Sequence, residues 1–171
     1  DCYVPYNYNA HYDIEELGEC IDYVVIMCYD EHYAGSEEGS VASIDYVKRG
    51  ISEAGSAMDS DRVIIALPFY TRVWITGADG KTRSEALSVQ TALNWVAQKG
   101  VQLEWQEDLG QNYGEITDGT EVKKVWMEDD QSMQRKVDAV KEAGYAGVAG
   151  WKLGQEPQSF WSILDLNADS A

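Results

Sequence analysis

The fold of this chain is decided by the stretch Tyr23-Val24-Val25-Ile26-Met27-Cys28-Tyr29-Asp30-Glu31-His32-Tyr33. It begins as an apolar, β-branched run and ends abruptly in polar and aromatic residues. A run that is apolar on both faces is typical of a buried parallel strand. In parallel α/β proteins the functional site lies where such strands end. The stretch therefore predicts a central strand whose carboxyl end, residues 29–33, borders a site.

Two other stretches repeat this design. Residues 62–74 and 144–154 also run from small or apolar residues into polar and aromatic ones. The side chains that end these two runs are Tyr70, Arg72, Trp74 and Trp151. Three buried strands that each end in an aromatic residue predict one cleft lined with rings, which suits the flat apolar faces of sugars. The simpler alternative is that these aromatic residues only cap the core.

Charge and cysteine content exclude several classes of function. The net charge of the 171 residues is −17, from 30 acidic and 13 basic side chains, which argues against binding nucleic acid or an anionic membrane surface. No segment approaches the length of a membrane-spanning helix. The cysteines, Cys2, Cys20 and Cys28, match no metal motif and form no disulfide framework. We expect neither a metal nor a cofactor.

The order of patterns along the chain predicts the fold class. Strand patterns lie at 1–5, 22–29, 62–68 and 146–152. Helical patterns lie at 14–20, 41–54, 130–143 and 157–165. Such alternation indicates an α/β protein with a parallel sheet and right-handed crossovers.

A different pattern occupies residues 75–126. A helix is expected at 86–99, followed by alternating strands at 102–106, 112–116 and 121–126. We interpret this region as a small α+β insertion with antiparallel strands. The two flanking segments, 1–74 and 127–171, then form the parallel part.

Several motifs together resemble glycoside hydrolase family 18, which contains chitinases and related N-acetylglucosaminidases. Met27-Cys28-Tyr29-Asp30 is similar to the Met-x-Tyr-Asp motif on the sixth barrel strand of that family. Residues 67–74 and 147–151 resemble its seventh and eighth strands. The Tyr-Asp-Glu-His-Tyr that follows Met27 resembles a bacterial group of spore-cortex and cell-wall glycosidases. The resemblance covers essentially the whole chain and implies the C-terminal half of a (β/α)8 barrel, strands 5–8, with the insertion between strands 7 and 8.

The resemblance also implies a function. Family members hydrolyse β-1,4-linked N-acetylglucosamine glycans, of chitin or peptidoglycan type, by a retaining mechanism in which the substrate's own N-acetyl group attacks the anomeric carbon. Carried over to this chain, Tyr29 and Asp30 hold the N-acetyl group and are the catalytic candidates. The substrate-binding candidates are Met27 on the pocket floor, Trp151 beneath the sugar, Tyr70 and Arg72 at the cleft wall, and Glu31. For Glu31, its place just after the Met-x-Tyr-Asp segment favours loop structure or substrate contact over the role of general acid.

The chain departs from the family in one large respect. The family's general acid is the Glu of an Asp-x-x-Asp-x-Asp-x-Glu motif on the fourth strand, and that motif does not occur in these 171 residues. We therefore expect the chain alone to be inactive. Half a barrel exposes strand edges and the inner face of its sheet, so we also expect a second copy or a missing N-terminal half to complete it.

Two other functions stay open. One is a non-catalytic, chitinase-like protein that binds carbohydrate, and the other is an unrelated α/β domain in which Trp151, Tyr29 and Asp30 do not converge. For the glycosidase, the expected ligand is an oligosaccharide that contains N-acetylglucosamine. The expected location is extracellular or associated with the cell wall or spore.

Overall fold

The computed structural model describes residues 12–55 and 58–164. The strand expected at 1–5 lies outside these residues. The helices are α1 (Ile14–Gly18), α2 (Ile44–Gly55), α3 (Val89–Lys99), α4 (Asp130–Glu142) and α5 (Phe160–Ile163). The strands are β1 (Val24–Met27), β2 (Val63–Pro68), β3 (Tyr70–Thr76), β4 (Thr82–Ser88), β5 (Leu103–Gln106), β6 (Gln111–Asp118), β7 (Glu121–Met127) and β8 (Gly147–Trp151). None of the described helices has the length and apolar character needed to cross a membrane.

A parallel sheet of three strands, in the order β1-β2-β8, forms the first layer. The expected α/β class and the parallel pairing of these strands are confirmed. One face of the sheet packs under α2 and α4, because the apolar faces of both helices belong to the same core cluster as Ile26, Ile65 and Leu67. Because the three strands are parallel, their carboxyl ends lie at one edge of the sheet.

The opposite face of the parallel sheet has no covering layer within the described residues. Side chains alternate between faces along a strand, and on β1 this places Val25 and Met27 on the open side. Val25 is 52% exposed and Met27 is 43% exposed. Trp151 lies on the same face and is 55% exposed. Parallel sheets are normally buried on both faces, so this apolar face is incomplete in the described part of the chain.

An antiparallel sheet of five strands, in the order β4-β3-β7-β6-β5, forms the second unit. Its core lies on the face against α3, where Val73, Val125 and Val96 pack together. The expected bounds of the insertion, residues 75 and 126, fall inside β3 and β7. The division of the chain into a parallel part and an insertion stays a prediction.

The prediction of a helix at 86–99 is wrong for its first three residues, 86–88. Residues 82–88 form β4, which pairs with β3 along its whole length. The helix α3 begins only at Val89, because Ser88 caps it by accepting a hydrogen bond from the Thr91 backbone N–H at 3.2 Å. Ala86 and Leu87 fit the helical spacing, but pairing with β3 overrides that local preference.

A buried polar network joins α4 to the second sheet and to the loop after β1. The carboxylate of Glu128 lies 2.5 Å from Lys136 Nζ and accepts hydrogen bonds from Gln111 Nε2 at 2.6 Å and Ser132 Oγ at 3.0 Å. Gln111 in turn accepts a hydrogen bond from the Ser40 hydroxyl. Both Glu128 and Lys136 are fully buried. Burial raises the pKa of Glu128 to about 7, although Lys136 and Ser132 favour its ionised form.

Substitution of Gly150 by Ala is expected to destabilise the fold. A Cβ at this position would overlap the ring of Phe69, which is itself buried. Overpacking of this kind costs about 1–3 kcal/mol. Urea unfolding would measure the loss, with Gly147→Ala on the same strand as the control, because a Cβ there meets no atom within 4 Å. Equal stability of the two variants would contradict the packing described here.

Candidate active site

Three aromatic rings meet at the carboxyl edge of the parallel sheet. Tyr29 follows β1, Tyr70 follows β2, and Trp151 ends β8. The rings of Tyr29 and Trp151 are stacked, with centroids 6.3 Å apart and planes 25° apart. The rings of Tyr29 and Tyr70 are also 6.3 Å apart but nearly perpendicular, at 74°. These three side chains, the ring cluster, are brought together by the parallel alignment of β1, β2 and β8.

Asp30 lies beside the ring cluster and contacts it directly. The Tyr70 hydroxyl donates a hydrogen bond to Asp30 Oδ1. The backbone of Asp30 is left-handed, with φ of 60°, a conformation that Asp and Asn tolerate better than most other non-glycine residues. Burial, and then the hydrogen bond to Asp30, raise the pKa of Tyr70 far above its ordinary value. Tyr70 therefore remains a protonated donor at physiological pH.

Met27 and Trp151 lie on the open face of the sheet. Met27 pairs with Ala66 on β2, and Ala66 pairs with Ala149 on β8. Because directly paired residues project to the same side, two small methyl groups lie next to Met27. Pro68 pairs with Trp151 one step further along both strands. Met27, Ala66 and Ala149 thus form a flat apolar surface next to the exposed indole of Trp151.

Arg72 lies beyond Tyr70 on β3 and projects to the same side as Tyr70. Its Nη1 donates a hydrogen bond to Ser84 Oγ at 3.1 Å. Its Nε is buried, and no acceptor for it is found in residues 12–55 and 58–164. The Nε atom is thus an unpaired donor that is shielded from solvent.

The contacts of Glu31 favour loop structure, one of the two roles left open for it. Its two carboxylate oxygens accept hydrogen bonds from the Ser43 backbone N–H at 2.7 Å and the Ser43 hydroxyl at 3.1 Å. Ser43 directly precedes α2, so Glu31 ties the loop after β1 to that helix. His32 lies 3.0 Å from the Glu37 carbonyl through Nδ1 and stabilises the same loop.

Trp74 does not line the cleft. It is buried, and its indole N–H donates a hydrogen bond to the Gly39 carbonyl at 2.8 Å. The loop after β1 folds over it. Of the aromatic residues that end the three strand runs, Trp74 therefore fits the core-capping alternative, while Tyr29, Tyr70 and Trp151 converge.

The chemistry of the cleft follows from these groups. The exposed indole of Trp151 presents a flat apolar surface. The largely buried rings of Tyr29 and Tyr70 lie next to it, and the Asp30 carboxylate lies at their edge. Rings with a polar rim suit a ligand that has apolar faces and polar edges. Within the described residues, no group of three or more His, Cys, Asp or Glu side chains is placed to hold a metal ion.

Comparison with known families decides the class of protein. The family model for glycosyl hydrolases family 18 matches residues 2–156. The chain belongs to glycosyl hydrolase family 18. The resemblance of the strand-end motifs to this family is thereby confirmed.

Relatives of known sequence and structure resemble the chain over most of its length. The chain is 29% identical over 159 residues to the cortical fragment-lytic enzyme of Bacillus subtilis (strain 168), a match that covers 92% of this chain and 37% of the relative. The crystal structure of the spore cortex-lytic enzyme SleL from Bacillus megaterium QM B1551 superposes with a TM-score of 0.80 at 27% identity, over 91% of this chain and 36% of that one.

A more distant structure shares the fold. It is a mutant of a plant class V chitinase from Cycas revoluta in complex with (GlcNAc)3, with a TM-score of 0.71, 20% identity, and coverage of 93% of this chain and 49% of that one. That plant chitinase was thus crystallised with an N-acetylglucosamine oligosaccharide. The family 18 chain described here spans between about a third and a half of the length of these proteins.

Proposed function

We propose that this chain is the C-terminal half of a family 18 catalytic domain that hydrolyses β-1,4-linked N-acetylglucosamine glycans. The observation that carries the proposal is the ring cluster of Tyr29, Tyr70 and Trp151, with Asp30 hydrogen-bonded at its edge. This arrangement suits a pyranose ring that stacks on Trp151 while its substituents reach Tyr29 and Asp30.

The proposed chemistry is substrate-assisted and retaining. A Glu from the N-terminal half donates its proton to the glycosidic oxygen as the bond from that oxygen to the anomeric carbon breaks. The N-acetyl carbonyl oxygen bonds to the anomeric carbon, and water later displaces it. Tyr29 and Asp30 hold the N-acetyl group for this attack, and the Tyr70 hydroxyl orients Asp30. Trp151 stacks beneath the sugar, and Met27 forms the floor.

The open face of the parallel sheet favours the proposal that another half of the barrel covers it. Val25, Met27 and Trp151 are each about half exposed on a face that a closed barrel would bury. The shares of the relatives that the chain covers, 36% to 49%, agree with half of a catalytic domain. In this proposal residues 1–74 and 127–171 form barrel strands 5–8, and residues 75–126 form the insertion between strands 7 and 8. A second copy of the chain is the alternative that could cover the face.

The relatives favour peptidoglycan-type glycan over chitin as the natural substrate. Two of them are named for lysis of spore cortex or its fragments. A protein with that substrate would act at the spore or cell wall, outside the cytoplasm. A non-catalytic carbohydrate-binding protein remains the second candidate, because the chain itself lacks the general-acid motif.

Hydrolysis assays with and without the missing half test the proposal. We expect this chain together with the segment encoded upstream to release reducing ends from N-acetylglucosamine oligosaccharides, with the β-anomer formed first in NMR spectra. This chain alone should be inactive. Binding without hydrolysis by the complete product would favour the carbohydrate-binding protein, and hydrolysis by this chain alone would contradict the assignment of the general acid.

A further inference from the structure

A buried chain of hydrogen bonds leads from the second sheet to the loop that carries Asp30. Gln111 is the first residue of β6, and its side chain is fully buried. Its Nε2 donates a hydrogen bond to Glu128 Oε1 at 2.6 Å, and its Oε1 accepts one from the Ser40 hydroxyl. Ser40 Oγ also accepts a hydrogen bond from the Ala42 backbone N–H at 2.9 Å. The Ser40 side chain is therefore held on two sides.

The backbone beside Ser40 holds the two residues that follow Asp30. The His32 backbone N–H donates a hydrogen bond to the Ser40 carbonyl at 3.1 Å. The Glu31 backbone N–H donates a hydrogen bond to the Val41 carbonyl at 2.9 Å. The position of these two carbonyl groups therefore determines the direction in which the chain leaves Asp30.

The backbone of Asp30 needs such support because it is left-handed, with φ of 60°. A residue other than glycine keeps this conformation when the surrounding structure imposes it. On the side that precedes Asp30, the Tyr46 hydroxyl donates a hydrogen bond to the Tyr29 carbonyl at 3.2 Å. Both neighbours of Asp30 are thus held, and its carboxylate accepts the hydrogen bond from Tyr70 in this conformation. Release of the loop would move that carboxylate relative to the ring cluster.

We propose that Ser40 and Gln111 are positioning residues for glycan hydrolysis. Their hydrogen bond fixes the two carbonyl groups that hold the chain after Asp30. Through that backbone it keeps the Asp30 carboxylate aligned with the Tyr70 hydroxyl and with the N-acetyl group of the substrate. The second sheet is thereby linked to the catalytic edge of the parallel sheet. This inference rests on the proposed function.

The alternative is that the buried hydrogen bonds only stabilise the fold, and Ser132 provides the comparison. Ser132 is buried like Ser40, and its hydroxyl donates a hydrogen bond to Glu128 at 3.0 Å. Its other hydrogen bonds are with Asp129, in the capping box of α4. Loss of either hydroxyl removes a hydrogen bond from the same network, but it is the Ser40 hydroxyl that lies on the path to Asp30.

The test measures kcat, KM and the melting temperature of the complete catalytic protein with an N-acetylglucosamine oligosaccharide. Ser40→Ala is expected to lower kcat roughly tenfold, because a small misplacement of a group that orients the reaction slows it. KM should change by less than about twofold, since the loss concerns the reacting geometry more than the binding of the sugar. Ser132→Ala should lower the melting temperature in the same way and leave kcat unchanged.

A variant of intermediate strength supports this comparison. Ser40→Cys keeps a side chain of similar size whose thiol is a weaker hydrogen-bond donor than a hydroxyl. We expect its loss of kcat to be smaller than that of Ser40→Ala. If Ser40→Ala fails to fold, Ser40→Cys takes its place in the comparison with Ser132→Ala.

A double-mutant cycle tests whether Ser40 acts through Asp30. Two residues that act through one group have effects that do not add. In the Asp30→Asn background, Ser40→Ala should therefore lower kcat no further. The same loss of kcat in both backgrounds would overturn the positioning role, and so would equal kcat values for Ser40→Ala and Ser132→Ala. A change in KM alone would overturn it too. These three results leave the proposed function intact, whereas a complete wild-type protein without hydrolytic activity would overturn the proposed function and this inference with it.

Discussion

Replacement of Lys136 by Met is expected to remove about 3–5 kcal/mol from the free energy of unfolding at pH 8. The substitution leaves the fully buried carboxylate of Glu128 without its cation at 2.5 Å. Gln111 and Ser132 still donate hydrogen bonds to Glu128, but they carry no charge to balance it. Because whole domains are stable by only about 5–15 kcal/mol, a loss of this size threatens folding at 37 °C.

The pH dependence of this loss has a definite sign. In the native chain burial already raises the pKa of Glu128 to about 7, and removal of Lys136 raises it further. A carboxyl group whose folded-state pKa exceeds its unfolded value stabilises the protein at low pH and loses that contribution as the pH rises through the folded pKa. Urea unfolding of Lys136→Met should therefore show a small loss at pH 5 and a loss that grows as the pH rises to 8.

Two controls separate the buried pair from ordinary surface charge. The double variant Glu128→Gln with Lys136→Met removes both charges, and we expect it to recover stability relative to Lys136→Met and to show a weaker pH dependence. Lys99→Met breaks a surface ion pair with Asp118 at 2.8 Å, which is worth less than about 1 kcal/mol. A Lys136→Met protein as stable as Lys99→Met would contradict the role of the network.

Replacement of Asp30 by Asn in the complete protein is expected to lower kcat by roughly 10²- to 10³-fold, the usual effect of removing one electrostatic contact to the reacting groups. Asn has the same shape and tolerates the left-handed backbone of Asp30, so the fold should persist. Its Oδ1 still accepts the Tyr70 hydrogen bond, but it lacks the negative charge that, in the proposed mechanism, orients the N-acetyl group.

The measurement for Asp30→Asn is the rate of glycan hydrolysis with the melting temperature as a check on folding. Asp138→Asn is the matched control, because Asp138 lies on the exposed side of α4 and contacts Gln134 instead of the cleft. Its activity should equal that of the wild type. An Asp30→Asn protein with full activity would remove Asp30 from the catalytic machinery.

Much of the architecture could be predicted because buried parallel strands have a simple signature. The runs that contain Val24 to Met27 and Val63 to Pro68 are apolar on both faces, and their order along the chain implies the parallel sheet. The convergence of Tyr29 and Trp151 follows from that sheet, since both lie where strands end. These features depend on local sequence and on chain order alone.

The remaining features depend on contacts between distant segments. Trp74 and Trp151 look alike in sequence, and only the loop that brings Gly39 to Trp74 buries one of them. Glu31 could not be assigned a role until the position of Ser43 was known. Trp126 occurs within an alternating strand, and only its pairing with Arg72 places it near the cleft. Cross-strand register of this kind is not encoded in any single stretch.

We propose above that this chain is half of a family 18 catalytic domain. The most direct test is the intact mass of the natural gene product, with its amino-acid sequence upstream of Asp1. We expect a longer product that bears Asp-x-x-Asp-x-Asp-x-Glu before this chain and thereby supplies the general acid. A natural product that begins at Asp1 would contradict the assignment to half of a catalytic domain and would leave the open face of the parallel sheet to be covered by another chain.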